Sequence, residues 1–80
     1  MSDVYRTIIL ENAKVDMKEE DLRDEHKLVD DLQFDSISFV GMIVALEGSY
    51  RISFDVEDID QEKFKTVGDV AKYLYKKVKE

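Results

Sequence analysis

The sequence predicts an all-α fold, a four-helix bundle of three long helices and one short helix. Apolar residues recur at three- and four-residue steps, and no alternation is long enough for a β-sheet. Proline is absent and only three glycines occur, so few residues interrupt a helix. Eighty residues suit one domain, and we predict a single domain over residues 1–80.

The first helix should begin after a capping Ser2 or Asp3 and end near residues 14–16, with Val4, Ile8 and residues 10–13 as its apolar positions. Residues 17–34 then form a long polar connection. Such a length is uncommon in a compact domain and usually functional, so we expect a loop that wraps the bundle. Its predicted apolar anchors are Leu22, Leu28, Val29, Leu32 and Phe34.

The second helix is predicted from Ser36 to Tyr50, with Asp35 or Ser36 as its N-cap. Its apolar stripe is broad, which indicates contacts on more than one side. The segment Arg51 to Phe54 should be extended. The residues of this helix fall in two neighbouring rows, one with Ile37, Val40, Ile43 or Val44 and Leu46 or Glu47, the other with Phe39, Ile43, Leu46 and Tyr50.

The acidic residues from Asp55 to Asp58 can cap a short third helix over Val56 to Asp60. Residues 66–69 offer a similar cap to the last helix, whose final turns carry lysines that suit the negative end of the helix dipole. The apolar face of that helix should contain Val67, Val70, Ala71, Leu74 and Val78. The predicted core residues are Ile37, Val40, Ile43, Leu46, Ile59, Phe64, Val67, Ala71 and Leu74.

The net charge of −7 is unevenly distributed. Residues 1–62 hold 17 acids and 6 bases, whereas residues 63–80 hold 2 acids and 6 bases. The acidic body argues against nucleic-acid binding and suits basic protein partners, although acidity also serves solubility alone. No apolar run is long enough to span a membrane, and the first ten residues lack the pattern of a secretion signal, so we expect a cytoplasmic protein.

Little in the chain suggests catalysis or a metal. The absence of cysteine excludes disulfides, thiolate zinc sites and a cysteine nucleophile. The one histidine, His26, lies in a charged stretch with no positioned partner, and no Ser-His-acid arrangement is visible. Acids between Asp55 and Asp60 lack the central glycine and closing glutamate of a calcium loop. We predict a chain that is not an enzyme and binds no metal.

A set of spaced motifs surrounds Ser36. The motifs are Leu28-Val-Asp-Asp-Leu32, Phe34-Asp-Ser-Ile37, Val44-Ala-Leu-Glu47, Ile52, Asp55-Val-Glu-Asp58 and Phe64-Lys-Thr-Val67. Together they resemble the acyl and peptidyl carrier protein family over nearly the whole chain. The match is specific because the Asp-Ser-Ile core occurs with its flanking motifs in the expected order.

The resemblance implies that Ser36 carries a 4'-phosphopantetheine arm, added from coenzyme A by a phosphopantetheinyl transferase. Acyl or aminoacyl cargo would then travel as a thioester from a loading ligase or transferase to synthase and condensing enzymes. A helix N-terminus suits the phosphodiester anion. The same resemblance gives Asp35 a part in recognition by the transferase and its magnesium. We expect a monomer whose partner-binding residues are Ile37, Val40, Val44 and Glu47.

The second helix departs from the family pattern at three positions. Fatty-acid carriers tend to have acids where this chain has Ser38, Gly41 and Gly48, while Glu47 is retained. Gly41 also costs about 1 kcal/mol relative to alanine inside a helix, which suggests the close approach of a partner. A less acidic helix favours partners in a specialised pathway, such as polyketide or nonribosomal peptide assembly, over those of fatty-acid synthesis.

Two alternatives remain open from the sequence. An ordinary fatty-acid carrier whose surface has drifted would show the same helix. A helical interaction module with a carrier-like fold and no arm would use Asp35 and Ser36 only to cap the second helix, which Ser and Asp commonly do.

Overall fold

A computed structural model describes residues 3–79 and consists of α-helices joined by loops and 3₁₀ turns. In chain order the elements are α1 (Val4–Asn12), a 3₁₀ turn (Glu19–Asp21), α2 (Ser36–Tyr50), a second 3₁₀ turn (Val56–Asp58) and α3 (Val67–Lys79). Within residues 3–79 there is no β-strand, and β pairing is limited to one antiparallel bridge between Lys27 and Thr66. The all-α prediction is confirmed.

Helix α1 ends at Asn12, earlier than the predicted end near residues 14–16. Ala13 already has an extended backbone, with ψ at 154°. The next residue, Lys14, donates its backbone N–H to the Leu32 carbonyl over 3.1 Å. Helix α1 therefore ends before Lys14, because the Lys14 N–H bonds to a carbonyl of the wrapping loop and not to a carbonyl of α1.

The start of α1 is stabilised by a distant residue and not by the predicted cap. Of the two predicted caps, Ser2 lies outside the described residues. Asp3 occupies the N-cap position but its side chain makes no capping hydrogen bond. The hydroxyl of Tyr50, at the end of α2, instead accepts from the Tyr5 N–H over 2.8 Å. One of the unpaired donors of the first turn is thus satisfied across the bundle.

The loop between α1 and α2 wraps the bundle, as predicted. The Arg6 guanidinium donates to the carbonyls of Glu19 and Leu22 near the beginning of the loop. Farther along, Leu28 N–H donates to the Lys65 carbonyl over 2.9 Å, which joins the loop to the segment before α3. The predicted anchors Leu22, Leu28, Leu32 and Phe34 are buried, whereas Val29 is exposed and that part of the prediction is wrong.

Helix α2 exposes Ile37, Val40 and Val44 of one predicted row and buries the side that carries the other row. Phe39, Met42, Ile43 and Leu46 face the core. The prediction that Ile37, Val40 and Ile59 are core residues is wrong, because Ile37 and Val40 lie on the opposite side of α2 and Ile59 lies in an exposed loop. The predictions for Ile43, Leu46, Phe64, Val67 and Leu74 are confirmed, and Ala71 is partly buried against the same core.

The chain after α2 differs from the prediction in three details. Arg51 is not extended but ends α2 in a left-handed conformation, with φ at 55°. The short third helix is a single 3₁₀ turn over Val56–Asp58, and the Asp55 side chain does not cap it. That carboxylate binds the Lys77 ammonium over 2.9 Å instead. In α3, Val78, which was predicted to lie on the apolar face of the helix, is exposed near the helix end.

Four aromatic rings fill the space between α2, the second 3₁₀ turn and α3. Phe64 is central, with ring centroids 6.0 Å from Phe39, 5.8 Å from Phe54 and 5.2 Å from Tyr73. Phe54 and Tyr73 stack at 4.7 Å. Such pairs contribute beyond their buried area, so this cluster fixes the loop that follows α2 against α3.

Candidate functional site

The candidate site is the junction between the wrapping loop and α2, where Ser36 is the first helical residue. The preceding Asp35 has an extended backbone, and its Oδ1 accepts from the Ser38 N–H over 2.8 Å. This is the usual N-cap geometry, in which a carboxylate satisfies a first-turn donor. The prediction that Asp35 or Ser36 caps α2 is confirmed, with Asp35 as the cap. Ser36 itself is exposed.

The second oxygen of Asp35 binds a residue from the other end of the loop. Oδ2 of Asp35 forms an ion pair with the Lys14 ammonium. The hydrogen bond from Lys14, together with that from Ser38, holds the pKa of the Asp35 carboxyl well below its ordinary value. Asp35 therefore stays ionised well below neutral pH. One of its oxygens contacts the Lys14 ammonium and the other accepts the Ser38 N–H at the start of α2.

Two backbone donors at this junction remain available to an anion. Asp35 takes the Ser38 N–H through its side chain and the Phe39 N–H through its carbonyl. Within residues 3–79, the hydrogen bonds of the structure give the N–H groups of Ser36 and Ile37 no acceptor. These donors sit at the positive end of the α2 dipole, next to the exposed Ser36 side chain.

An exposed apolar row begins beside Ser36 and follows α2. It contains Ile37, Val40 and Val44, whose exposed fractions are 83%, 54% and 62%. The predicted partner residue Glu47 differs from these three, since its Oε2 accepts the Phe54 N–H over 2.8 Å and helps to fix the chain after the helix. The structure thus brings three of the four predicted partner residues to one surface and gives the fourth an internal contact.

The three positions that lack the family's acids have different surroundings. Ser38 is buried, so its side chain contributes nothing to the surface. At Gly41 an added Cβ would lie 2.6 Å from Oδ1 of Asn12 in α1, whereas at Gly48 nothing lies within 4 Å. The close approach predicted at Gly41 is therefore explained by a neighbouring helix of the same chain.

The remaining candidates for chemistry have structural partners. Nδ1 of His26 accepts the Arg23 N–H over 3.0 Å within a turn. Asp58 binds the Lys63 ammonium and accepts from the Tyr73 hydroxyl, and the lysine above all lowers its pKa. Among residues 3–79 no three His, Cys, Asp or Glu side chains are grouped so that they could hold a metal ion. In the same part of the chain, none of the helices has the length and apolar character needed to cross a membrane.

Lys14 is the site residue that sequence reasoning missed. It is 21 residues from Asp35 in the chain, and the pattern near it predicts only the end of a helix. No spacing rule connects two charges that a loop brings together, so no signal in the single sequence could have identified the pair.

Comparison with known proteins gives concordant matches. The family model described as "Phosphopantetheine attachment site" matches residues 6–74. An acyl carrier protein of Thermotoga maritima is 38% identical over 73 residues, covering 91% of this chain and 85% of the relative. Acyl carrier proteins of Clostridium perfringens strain SM101 and of Wolinella succinogenes are 38% and 35% identical, the former covering 92% of each chain and the latter 90% of each.

Proposed function

The chain belongs to the acyl carrier protein family, whose members carry 4'-phosphopantetheine and are not enzymes, and we propose that Ser36 is the residue to which the arm is attached. The observation that carries this proposal is the position of Ser36, which is exposed as the first residue of α2 directly after the capping Asp35. A transferase can reach a serine at such a junction without unfolding the helix.

The residues around Ser36 fit the attached group. The arm is linked through a phosphodiester, which is an anion, and the N–H groups of Ser36 and Ile37 point from a helix N-terminus. When bound, the arm supplies the terminal thiol that holds cargo as a thioester, which a chain without cysteine cannot supply itself. The chain's own contribution is to present the serine, satisfy the helix end and expose an adjoining surface.

Asp35 has two roles in this proposal. It fixes the start of α2 through Ser38, so the serine is held in one backbone position before modification. Its carboxylate, whose pKa is held below an already acidic ordinary value, is also charged when the transferase docks with its magnesium ion. A carboxylate next to a phosphodiester is mildly repulsive, so stability of the modified form alone would not favour aspartate at this position.

The cargo is proposed to be an acyl group, since the relatives at 35–38% identity are named acyl carrier proteins. Fatty-acid, polyketide and nonribosomal peptide assembly all use such carriers. The exposed row of Ile37, Val40 and Val44 has no carboxylate beside it at positions 38, 41 or 48 of the same helix. The Glu47 carboxylate accepts the Phe54 N–H. This surface supports a carrier that serves a specialised pathway.

The partners in this proposal are a phosphopantetheinyl transferase, a loading ligase or transferase, and condensing or synthase enzymes. They would meet the carrier at the row formed by Ile37, Val40 and Val44, which is continuous with Ser36. An apolar row of this kind, next to the attachment point, lets each enzyme contact the carrier and receive the arm in the same encounter.

Intact-mass measurement tests the attachment site. The chain is incubated with coenzyme A and a transferase of broad specificity, alongside Ser36→Ala and the matched control Ser49→Ala. Ser49 is an exposed serine of the same helix. We expect the wild type and Ser49→Ala to gain the mass of one arm and Ser36→Ala to gain none. If the wild-type chain stays unmodified with several transferases, the proposal is wrong. The chain is then better described as a helical interaction module without an arm.

A further inference from the structure

Lys14 is fixed near the attachment point by its backbone and its side chain together. Its N–H donates to the carbonyl of Leu32, which is fully buried, so the backbone at this position is tied to the end of the wrapping loop. Its ammonium then reaches Asp35, the residue before Ser36. The side chain remains 55% exposed while it binds Asp35, and the residue after Asp35 is the exposed Ser36.

The ammonium has capacity for a second anion. A lysine ammonium carries three N–H donors, and the hydrogen bonds of residues 3–79 assign one of them, to Oδ2 of Asp35. The sequence that leads to Ser36 is otherwise acidic, since Asp30 and Asp31 also precede it. Lys27, the loop lysine that is nearest to Ser36 in the sequence, already binds the Asp30 carboxylate over 3.9 Å. A phosphodiester on Ser36 would add a negative charge next to Asp35, the residue that the Lys14 ammonium already contacts.

We propose that Lys14 is the counter-ion of the arm's phosphodiester, sharing its ammonium between that group and the Asp35 carboxylate. This inference rests on the proposed attachment at Ser36. A compact ammonium on a flexible stem suits the task, since it contacts two anions in different directions without the fixed geometry of a guanidinium. Lys14 is thus a positioning residue that offsets the repulsion between Asp35 and the phosphodiester.

The thermal stability of the modified and unmodified chains tests this role. Melting temperatures of both forms are measured for the wild type, Lys14→Met, Lys14→Arg and the matched control Lys18→Met. Lys18 is an exposed lysine of the same loop, and it forms no ion pair within residues 3–79. Modification is first driven to completion and verified by mass, so a change in transferase rate does not enter the comparison. The measurements are repeated at about 0.5 M NaCl, where the screening length is only about 4 Å.

We expect Lys14→Met to lower the melting temperature of the modified chain by about 2–4 °C more than that of the unmodified chain. This additional loss should largely disappear in high salt. The modified form of Lys14→Arg should keep most of the stability that Lys14→Met loses, and Lys18→Met should show no additional loss. The ³¹P resonance of the phosphodiester should also move in Lys14→Met and stay in place in Lys18→Met.

Two results would overturn the inference alone. If Lys14→Met lowers both forms equally, the lysine only holds Asp35. If Lys18→Met gives the same excess loss, the effect belongs to net charge and not to contact with the phosphodiester. A wild-type chain that accepts no arm at Ser36 would overturn the proposed function, and this inference with it.

Discussion

Replacing the two glycines of α2 by alanine gives a matched test of how closely α1 and α2 are packed. Gly48 has no atom within 4 Å of an added Cβ, so Gly48→Ala should show the full gain in helix propensity. That gain is about 1 kcal/mol in the free energy of unfolding. At Gly41 the same gain is opposed, because the new Cβ would lie 2.6 Å from Oδ1 of Asn12.

The size of the opposing effect depends on how easily Asn12 moves. Its side chain is short, and its Nδ2 donates to the Ile8 carbonyl over 2.9 Å, so displacing Oδ1 disturbs that hydrogen bond. A typical intramolecular hydrogen bond contributes about 1 kcal/mol. We therefore expect Gly41→Ala to leave stability within about 0.5 kcal/mol of the wild type, since the two effects nearly cancel.

Urea unfolding followed by circular dichroism measures both variants, and Asn12→Ala completes a double-mutant cycle. In the Asn12→Ala background the obstacle is absent, so Gly41→Ala should stabilise the chain by about as much as Gly48→Ala. The expected coupling between positions 12 and 41 is about 1 kcal/mol. If Gly41→Ala and Gly48→Ala stabilise the wild type equally, the close approach of Asn12 to α2 is wrong.

Three further predictions follow from single contacts. Tyr50→Phe removes the acceptor of the Tyr5 N–H and should cost about 1 kcal/mol, with faster amide hydrogen exchange at Tyr5; unchanged exchange would contradict the interhelical cap. The folded state depresses the Asp35 pKa, so the stability that ionised Asp35 contributes is complete above the unfolded pKa near 3.8 and is lost as the pH falls below that value. Asp35→Asn, which still caps α2, should therefore flatten the fall in melting temperature between about pH 4 and 2. An unchanged fall over that range would refute the assignment. Tyr73→Phe keeps the ring but loses the hydroxyl, which accepts the Asp55 N–H and donates to the Asp58 carboxylate. Amide hydrogen exchange should therefore rise in Val56–Asp58 while the core stays protected. A uniform rise over the chain would contradict this local role.

The start of α2 could be predicted from the sequence because a helix cap is a local feature. Asp35 and Ser36 are adjacent, and the donor that Asp35 satisfies is three residues away. The carrier motif lies in the same short stretch. Sequence reasoning therefore identified both the helix boundary and the candidate serine. The all-α class followed equally well, because it depends on periodicity over tens of residues and not on any one contact.

The buried side of α2 could not be predicted, because the helix is apolar on two sides. Ile37, Val40 and Val44 have the same spacing as the row containing Phe39, Ile43 and Leu46. Periodicity assigns each row to a face but does not say which face meets the rest of the chain. The choice is made by tertiary contacts such as Phe39 with Phe64, which join segments far apart in the sequence.

The same limit applies to the ion pair and to the end of α1. Lys14 lies outside α1 because its N–H donates to the Leu32 carbonyl. Its ammonium contacts Asp35 because the end of the loop lies next to its beginning. Both contacts depend on how the loop of some twenty residues folds back. A long loop has many possible paths, and its anchors Leu22, Leu28 and Leu32 select one of them only once the core has formed.

The distribution of carboxylates around α2 bears on how partners would recognise this carrier. The chain has a net charge of −7, yet the acid before α2 and the acid within it have partners in the same chain: Asp35 pairs with Lys14 and caps α2 through the Ser38 N–H, and Glu47 accepts the Phe54 N–H. Free carboxylates would steer basic partners from a distance and make their association sensitive to salt. Apolar side chains act only on contact. Under the proposed function, recognition of the row formed by Ile37, Val40 and Val44 should therefore depend more on the fit of an apolar surface than on long-range attraction.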